Sequence, residues 1–326
     1  MPVHLPSRCH IAATLAVLLA LAGCGGGEQT SADRAAVQSA TRDDAAVQHL
    51  FLPDPGHAAL LALASATPAA GATVAGTTLA TSGPTGNNVQ IDAARDELYV
   101  LAGRSVNVYA SAATLSAGAA PARSFALPAS LRTPRTLFLD AASDVLYVGG
   151  DTLAGMGEIL AWDFAHTVRG TPATPARALV VDGGLAFFTL DLQRRLLYVA
   201  SDTSGVQVFA DVDTASGLLR PSSSIALLGT GLALDAARDR LYVADMFAGL
   251  LLVDQASTGN SVVSGTLGID DARYVAFDAA HDRVHVSAPD QLYTLEHASA
   301  LTSGTTLPAA AISGGATTGF GTAAVR

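Results

Sequence analysis

Asp92-Ala93-Ala94-Arg95-Asp96-Glu97-Leu98-Tyr99-Val100 decides the fold, because the chain writes it again and again. It returns as DAASDVLYV from Asp140, DLQRRLLYV from Asp191, DAARDRLYV from Asp235 and DAAHDRVHV from Asp278. A degenerate copy, DAAVQHLFL, starts at Asp44, so the leading aspartates stand 43 to 51 residues apart. A period in the forties, with short strands between turn residues, predicts an all-β propeller built from four-stranded blades.

Each copy begins with a short apolar strand that ends on the leading Asp, for example Leu137-Phe138-Leu139 or Leu232-Ala233-Leu234. The Asp then opens a tight turn, since its carboxylate can accept from backbone N–H groups two residues on. The Leu-Tyr-Val run that follows has β-branched and aromatic residues, which suit a strand. Leu and Val face one side and Tyr the other, so both sides are apolar and both must be buried, as they are in a blade between two neighbours. A third strand follows (Val106 to Tyr109, Leu250 to Val253), and a weaker outermost one (Arg123 to Leu127, Ser223 to Leu227).

The first copy has no apolar strand before Asp44, whereas Phe320 to Val325 alternates like an orphan first strand. The economical expectation is a six-bladed ring over 44–326. The C-terminal strand would close it by pairing into the blade that starts at about Val47, leaving no free sheet edge. LDAARDRLYVAD (234–245) and turns such as Phe209-Ala210-Asp211 resemble the NHL and YVTN-type propeller repeats of bacteria. The resemblance implies the fold. It leaves function open, because that broad group includes binding modules, sensor domains and sugar-lactone hydrolases.

Net charge is −10, and all 18 basic residues are arginines. Without lysine there is no Schiff-base or pyridoxal chemistry and no lysine-dependent phosphate loop. The acidic balance argues against nucleic acid, which requires a basic stripe to displace counterions.

Arg8 followed by the apolar run Ile11 to Ala20 reads as a targeting segment too short to span a bilayer. Leu21-Ala22-Gly23-Cys24 resembles the lipobox of bacterial lipoproteins. That resemblance implies a signal peptide over 1–23, acylation of Cys24 and, with Gly25 next, an outer-membrane address. Residues 24–43 are small and polar, a tether spanning roughly 25 Å as a coil. The only other cysteine, Cys9, lies in the segment to be removed, so no intramolecular disulfide is expected.

The loops joining second and third strands carry Asp54, Asp151, Asp202, Asp245 and Asp290, with Arg104 in the remaining blade. This rim suits a basic partner or a hard cation such as Ca2+, the one candidate for an otherwise absent cofactor. Each Asp can equally serve its own turn. The loop Gly149 to Gly157 is expected to be the longest. Arg135 and Arg273, at strand ends near the channel mouth, suit a carboxylate or phosphate. The inner-strand alternates, among them Asn88, Gln90, Phe138, Thr189, Ala233 and Ala276, include no carboxylate. That argues against the metal site of gluconolactonase-like propellers. The histidines show no metal spacing, and His285 stands where the other copies carry Tyr. The leading expectation is therefore a monomeric, non-enzymatic binding or scaffolding module, anchored through Cys24, whose partner is a cell-envelope protein or small ligand. The alternative is a metal-assisted lactonase-type hydrolase.

Overall fold

In a computed structural model, the described residues are 49–54, 59–63, 77–80, 85–201, 203–289, 291–310, 312–313 and 324–325. All belong to the compact unit Val47–Arg326. The expectations for 1–43, including Cys24, lie outside them, as do Asp44, Asp202 and Asp290. No helix among the described residues is long and apolar enough to cross a membrane.

The described strands make an all-β propeller. Strands β1 (Leu50–Asp54), β2 (Ala59–Leu63) and β3 (Thr77–Ala80) form one sheet. The next holds β4 (Thr85–Asp92), β5 (Glu97–Ala102), β6 (Ser105–Ala110) and β7 (Arg123–Ala126). Strands β8 (Thr133–Asp140), β9 (Val145–Asp151), β10 (Gly157–Asp163) and β11 (Arg177–Val181) follow. Then come β12 (Phe187–Asp191), β13 (Leu196–Ser201) and β14 (Gly205–Phe209), with β15 (Gly217–Leu218) and β16 (Ser223–Ile225). Two further sheets hold β17 (Gly231–Asp235), β18 (Arg240–Asp245), β19 (Gly249–Asp254) and β20 (Val262–Leu267), then β21 (Tyr274–Asp278), β22 (Arg283–Ala288), β23 (Gln291–Glu296) and β24 (Ile312–Ser313). The last strand, β25 (Ala324–Val325), pairs antiparallel with β1, Leu50 opposite Val325 and Phe51 opposite Ala324.

The expectation of uniform four-stranded blades needs correction. Among the described residues, five sheets have four strands and the sheet of β8 to β11 has five. Its extra strand is β15, which leaves its own blade and pairs in parallel with β11, Leu179 opposite Gly217. The loop expected over 149–157 is the longest connection between second and third strands among the described strands, but with narrower bounds. Strands β9 and β10 run to Asp151 and from Gly157, leaving only 152–156 between them. Glycine makes that extension possible, since a Cβ on Gly150 would lie 2.0 Å from the Thr133 carbonyl oxygen of β8.

Packing follows the two-sided second strand. Tyr99 packs forward onto Leu137 and Val148, Tyr147 onto Phe188 and Val199, Tyr198 onto Leu232 and Val243, and Tyr242 onto Val275 and Val286. Leu98 and Val100 pack backward, onto Phe51 and Leu60. These side chains are essentially buried, and each contributes about 1.5–3 kcal/mol.

The turn chemistry repeats as faithfully. In the described copies the first aspartate folds its own turn: Asp92 Oδ1 accepts from Ala94 and Arg95 N–H at 3.0 Å, and Asp191 and Asp278 do the same for theirs. In the described copies the fifth position is left-handed, with φ 55° at Asp96, 58° at Asp144, 59° at Arg195, 54° at Asp239 and 53° at Asp282. Where it is Asp, its carboxylate caps the turn after the third strand: Asp239 accepts from Ser257 N–H at 3.0 Å and Ser257 Oγ at 2.8 Å.

Asp239→Ala should therefore lose both the cap and a residue tolerant of φ > 0, about 2–3 kcal/mol in all. Asp239→Gly keeps the backbone geometry and should lose only about 1 kcal/mol. Urea unfolding of the two variants measures the difference, and equal losses would show that the left-handed geometry costs nothing.

Candidate functional site

The inner strands β4, β8, β12, β17 and β21 surround a cavity of about 320 Å3. Its wall includes Asn88, Gln90, Phe138, Phe187, Thr189, Ala233 and Ala276, side chains that alternation along the inner strands turns toward the axis. The position two residues before the leading Asp runs Gln90, Phe138, Thr189, Ala233, Ala276, so the two alanines leave space beside β17 and β21. Ile91, Phe138, Leu234 and Phe277 are only half-buried there. Ala279 lines the cavity and is exposed, so the space opens at the face of the leading aspartates.

Polar groups in the wall divide into used and unused. The Asn88 side chain is spent on structure: its Nδ2 donates to the Leu137 carbonyl and its Oδ1 accepts from Leu137 N–H at 2.7 Å, joining β4 to β8. Asp278 accepts from His281 Nδ1 at 2.7 Å and from two backbone N–H groups. His285 is different. It is 1% exposed, its Nδ1 meets Thr294 Oγ1 at 3.1 Å, and its Nε2 has no partner among the described residues. Burial pushes the imidazole down to about 4; Asp278 and Glu296 pull it up, and Arg283 adds to the fall. The ring is neutral at neutral pH.

The rim residues expected from sequence that are among the described residues each have local partners. Asp151 is bound on two sides: Oδ2 accepts from Arg135 Nε at 2.8 Å and Oδ1 from Leu185 N–H of the next sheet at 2.9 Å. Asp245 accepts from Phe247 and Ala248 N–H at 2.7 and 2.8 Å. Asp54 is buried at the end of β1. Arg104 holds the connection between blades through the carbonyls of Pro128, Leu131 and Arg132. Arg273 pairs with Asp271 at 2.8 Å. Neither Arg135 nor Arg273 lines the cavity, though both act on the phenol of Tyr274, which burial pushes up and the two guanidiniums pull back. Tyr274 packs on the cavity-lining Phe187 at 6.3 Å. No three His, Cys, Asp or Glu side chains among the described residues group as metal ligands would.

Exposed apolar side chains stand on both faces, Phe164 and Leu192 in turns on the side of the leading aspartates and others on the loop face. Phe247 is 92% exposed in the β18–β19 turn, beside Met246, and Leu153 stands out of the β9–β10 turn. Leu228 is exposed in the connection to β17, whose Thr230 N–H donates to Ala244 next to Asp245. Sequence reading passed over these residues and over the unpartnered, buried Nε2 of His285. The signal was present: a Phe within a tight acidic turn, and the one copy in which Tyr becomes His.

No family model matches the chain, and no curated protein is similar to it. Among solved structures, a chain in the "Crystal structure of Nidogen/Laminin Complex" is similar, with TM-score 0.53 and 14% identity. The likeness covers 85% of this chain and 98% of that one. At this identity it shows the fold: the protein is a β-propeller.

His285 should also mark the acid limb of stability. Its folded pKa is about 4, below the ordinary 6.5, so its contribution is complete above about pH 6.5 and is lost as the pH falls toward 4. The loss is on the order of 3 kcal/mol. Denaturation at pH 7 and 4.5 should show a smaller drop for His285→Phe than for wild type; identical slopes would mean that His285 titrates normally.

Proposed function

We propose that this protein is a non-enzymatic binding module of the bacterial cell envelope, whose loop face docks a protein partner. One observation carries the reading: Asp245 pins the turn 245–248 so that Phe247 is held out in solvent at 92% exposure. An aromatic ring on a hydrogen-bonded turn loses little entropy on docking, and such anchors dominate protein interfaces. Met246 and Leu228 extend the apolar surface on the same face. The similar solved chain belongs to a complex of two proteins, nidogen and laminin, which is in keeping with this use of the fold.

In this reading 1–23 is a lipoprotein signal peptide, Cys24 carries the lipid and 24–43 tethers the head to the outer membrane. The support is the lipobox-like Leu21-Ala22-Gly23-Cys24. The head is an NHL-like ring of six blades, closed where β25 pairs with β1, a reading supported by the register Leu50 to Val325.

A photo-crosslinker at position 247 should capture one envelope protein, and F247D should weaken that partner at least roughly tenfold without changing the far-UV spectrum. Cys24→Ser should release the chain from the membrane fraction. Unchanged binding by F247D sinks the docking reading; a membrane-bound Cys24→Ser variant sinks the anchor.

Deleting 319–326 should remove β25, expose the edge of β1 and lower the Tm by several degrees, since even about 1 kcal/mol moves the midpoint measurably. An unchanged Tm would mean that β25 closes nothing.

A further inference from the structure

We propose that the cleft between the sheet of β8 to β11 and the next blade binds a guanidinium group carried on an alkyl stem, with the carboxylates of Asp140 and Asp163 as its partners. The cleft lies on the face of the leading aspartates, away from Phe247, and does not depend on the docking reading.

A break in the repeat carries the inference. In the other described copies the fourth residue is basic and meets the second oxygen of the leading aspartate: Arg95 on Asp92 at 2.6 Å, Arg194 on Asp191 at 2.8 Å, Arg238 on Asp235 at 2.6 Å and His281 on Asp278 at 2.7 Å. The arginines also reach the next blade. Arg95 lies 3.7 Å from Asp144 and Arg238 3.8 Å from Asp282, and Arg194 donates to the Ala236 carbonyl at 2.9 Å. In the sheet of β8 to β11 the fourth residue is Ser143, too short to do either, and the fifth residue of the next copy is Arg195 instead of Asp. Asp140 Oδ1 folds its turn as the others do, but its Oδ2 has no partner among the described residues, in a side chain that is 7% exposed. That oxygen keeps accessible surface on the cleft that Asp140 lines.

Asp140, Val145 and Asp163 stand opposite one another in three neighbouring strands, so their side chains form one row on the face that Tyr147 turns to the next blade. The outer two Cα atoms are roughly 10 Å apart, which leaves room for one planar cation above Val145. Asp163 is exposed, and its carboxylate has no partner among the described residues. Both carboxylates act on the Tyr147 phenol, which burial pushes up, Arg177 pulls back, and Asp140 and Asp163 push up again. The cleft has a volume of about 380 Å3, with Val145 and Leu192 as apolar walls for a stem. Its own two cations are engaged. Arg195 pairs with Asp213 at 2.8 Å and Asp211 at 3.2 Å, and Arg177 donates to the carbonyls of Val212 and Asp213 and to the Tyr147 hydroxyl at 3.3 Å. A flat fork of donors spans two carboxylates, whereas an ammonium is a compact and more strongly hydrated point charge. Carboxylates this far apart do not share a metal ion, whose oxygen ligands lie at about 2.0–2.6 Å.

Chemical-shift titration of the full chain at pH 7 with N-acetyl-arginine amide, and with its uncharged citrulline and its lysine analogues, tests this. Saturable binding of the arginine compound is expected, with a Kd on the order of 1 mM. The lysine compound should be weaker by roughly threefold and the citrulline compound by at least roughly tenfold. S143R supplies the basic side chain that the other copies use, so it should raise the Tm and abolish binding. D163N removes an exposed carboxylate without touching a turn and should weaken the arginine compound roughly threefold. Agmatine and a tripeptide with arginine between two alanines separate the sources. Tighter agmatine assigns the site to a free guanidine compound, and a tighter tripeptide assigns it to an arginine side chain of a polypeptide. The proposal is overturned if wild type shows no saturable binding, if the citrulline compound binds equally, or if folded S143R binds like wild type. Should S143R fail to fold, D163N decides, and unchanged affinity there overturns the two-carboxylate site.

Discussion

Everything in this propeller depends on a strand that is apolar on both sides. In Leu-Tyr-Val, the tyrosine packs forward onto the next blade and the leucine and valine pack backward onto the one before. Such a strand cannot be left at a surface without exposing one apolar face to water, so each blade requires a neighbour on each side. Stacking, and with it an axis lined by the innermost strands, follows from that requirement.

The aspartates separate into kinds once their partners are known. Asp92, Asp140 and Asp191 spend a carboxylate oxygen on two backbone N–H groups of their own turn. Arg95, Arg194 and Arg238 pair with the first aspartate, and Arg194 also donates to the Ala236 carbonyl of the next blade. Asp96, Asp144, Asp239 and Asp282 use the left-handed position to cap the turn after the third strand. Much of the net negative charge is thus consumed in holding turns. On the loop face the same economy holds, since Asp151 clasps two blades and Asp245 holds the turn that carries Phe247.

A second repeated signal escaped the sequence reading. Buried small residues, Ala112, Ala165, Val212, Ala256 and Ala298, open the turn after the third strand, and each donates its N–H to the carbonyl of the left-handed residue at the fifth position. Short, variable flanks such as DFAHT and DQASTG conceal the pattern, because only the alanine and the geometry recur. The wandering strand β15 was hidden for a similar reason. Gly217-Leu218 has no strand signature, and it pairs only because the β11 edge lies beside it.

By itself the sequence determined the propeller, the strand order within a copy, the turn aspartates and the forward and backward faces of the second strand. Those features are local and periodic, so their physics is contained in a window of nine residues repeated along the chain. Tertiary structure alone decided which side chains would act. Whether Asp151 is a ligand or a clasp depends on Leu185, 34 residues away. How far the axial cavity opens depends on Ala233, Phe138 and Gln90 from different blades. Cavities and exposed anchors are differences between what neighbouring blades fill and what they leave open, and no single repeat contains that information.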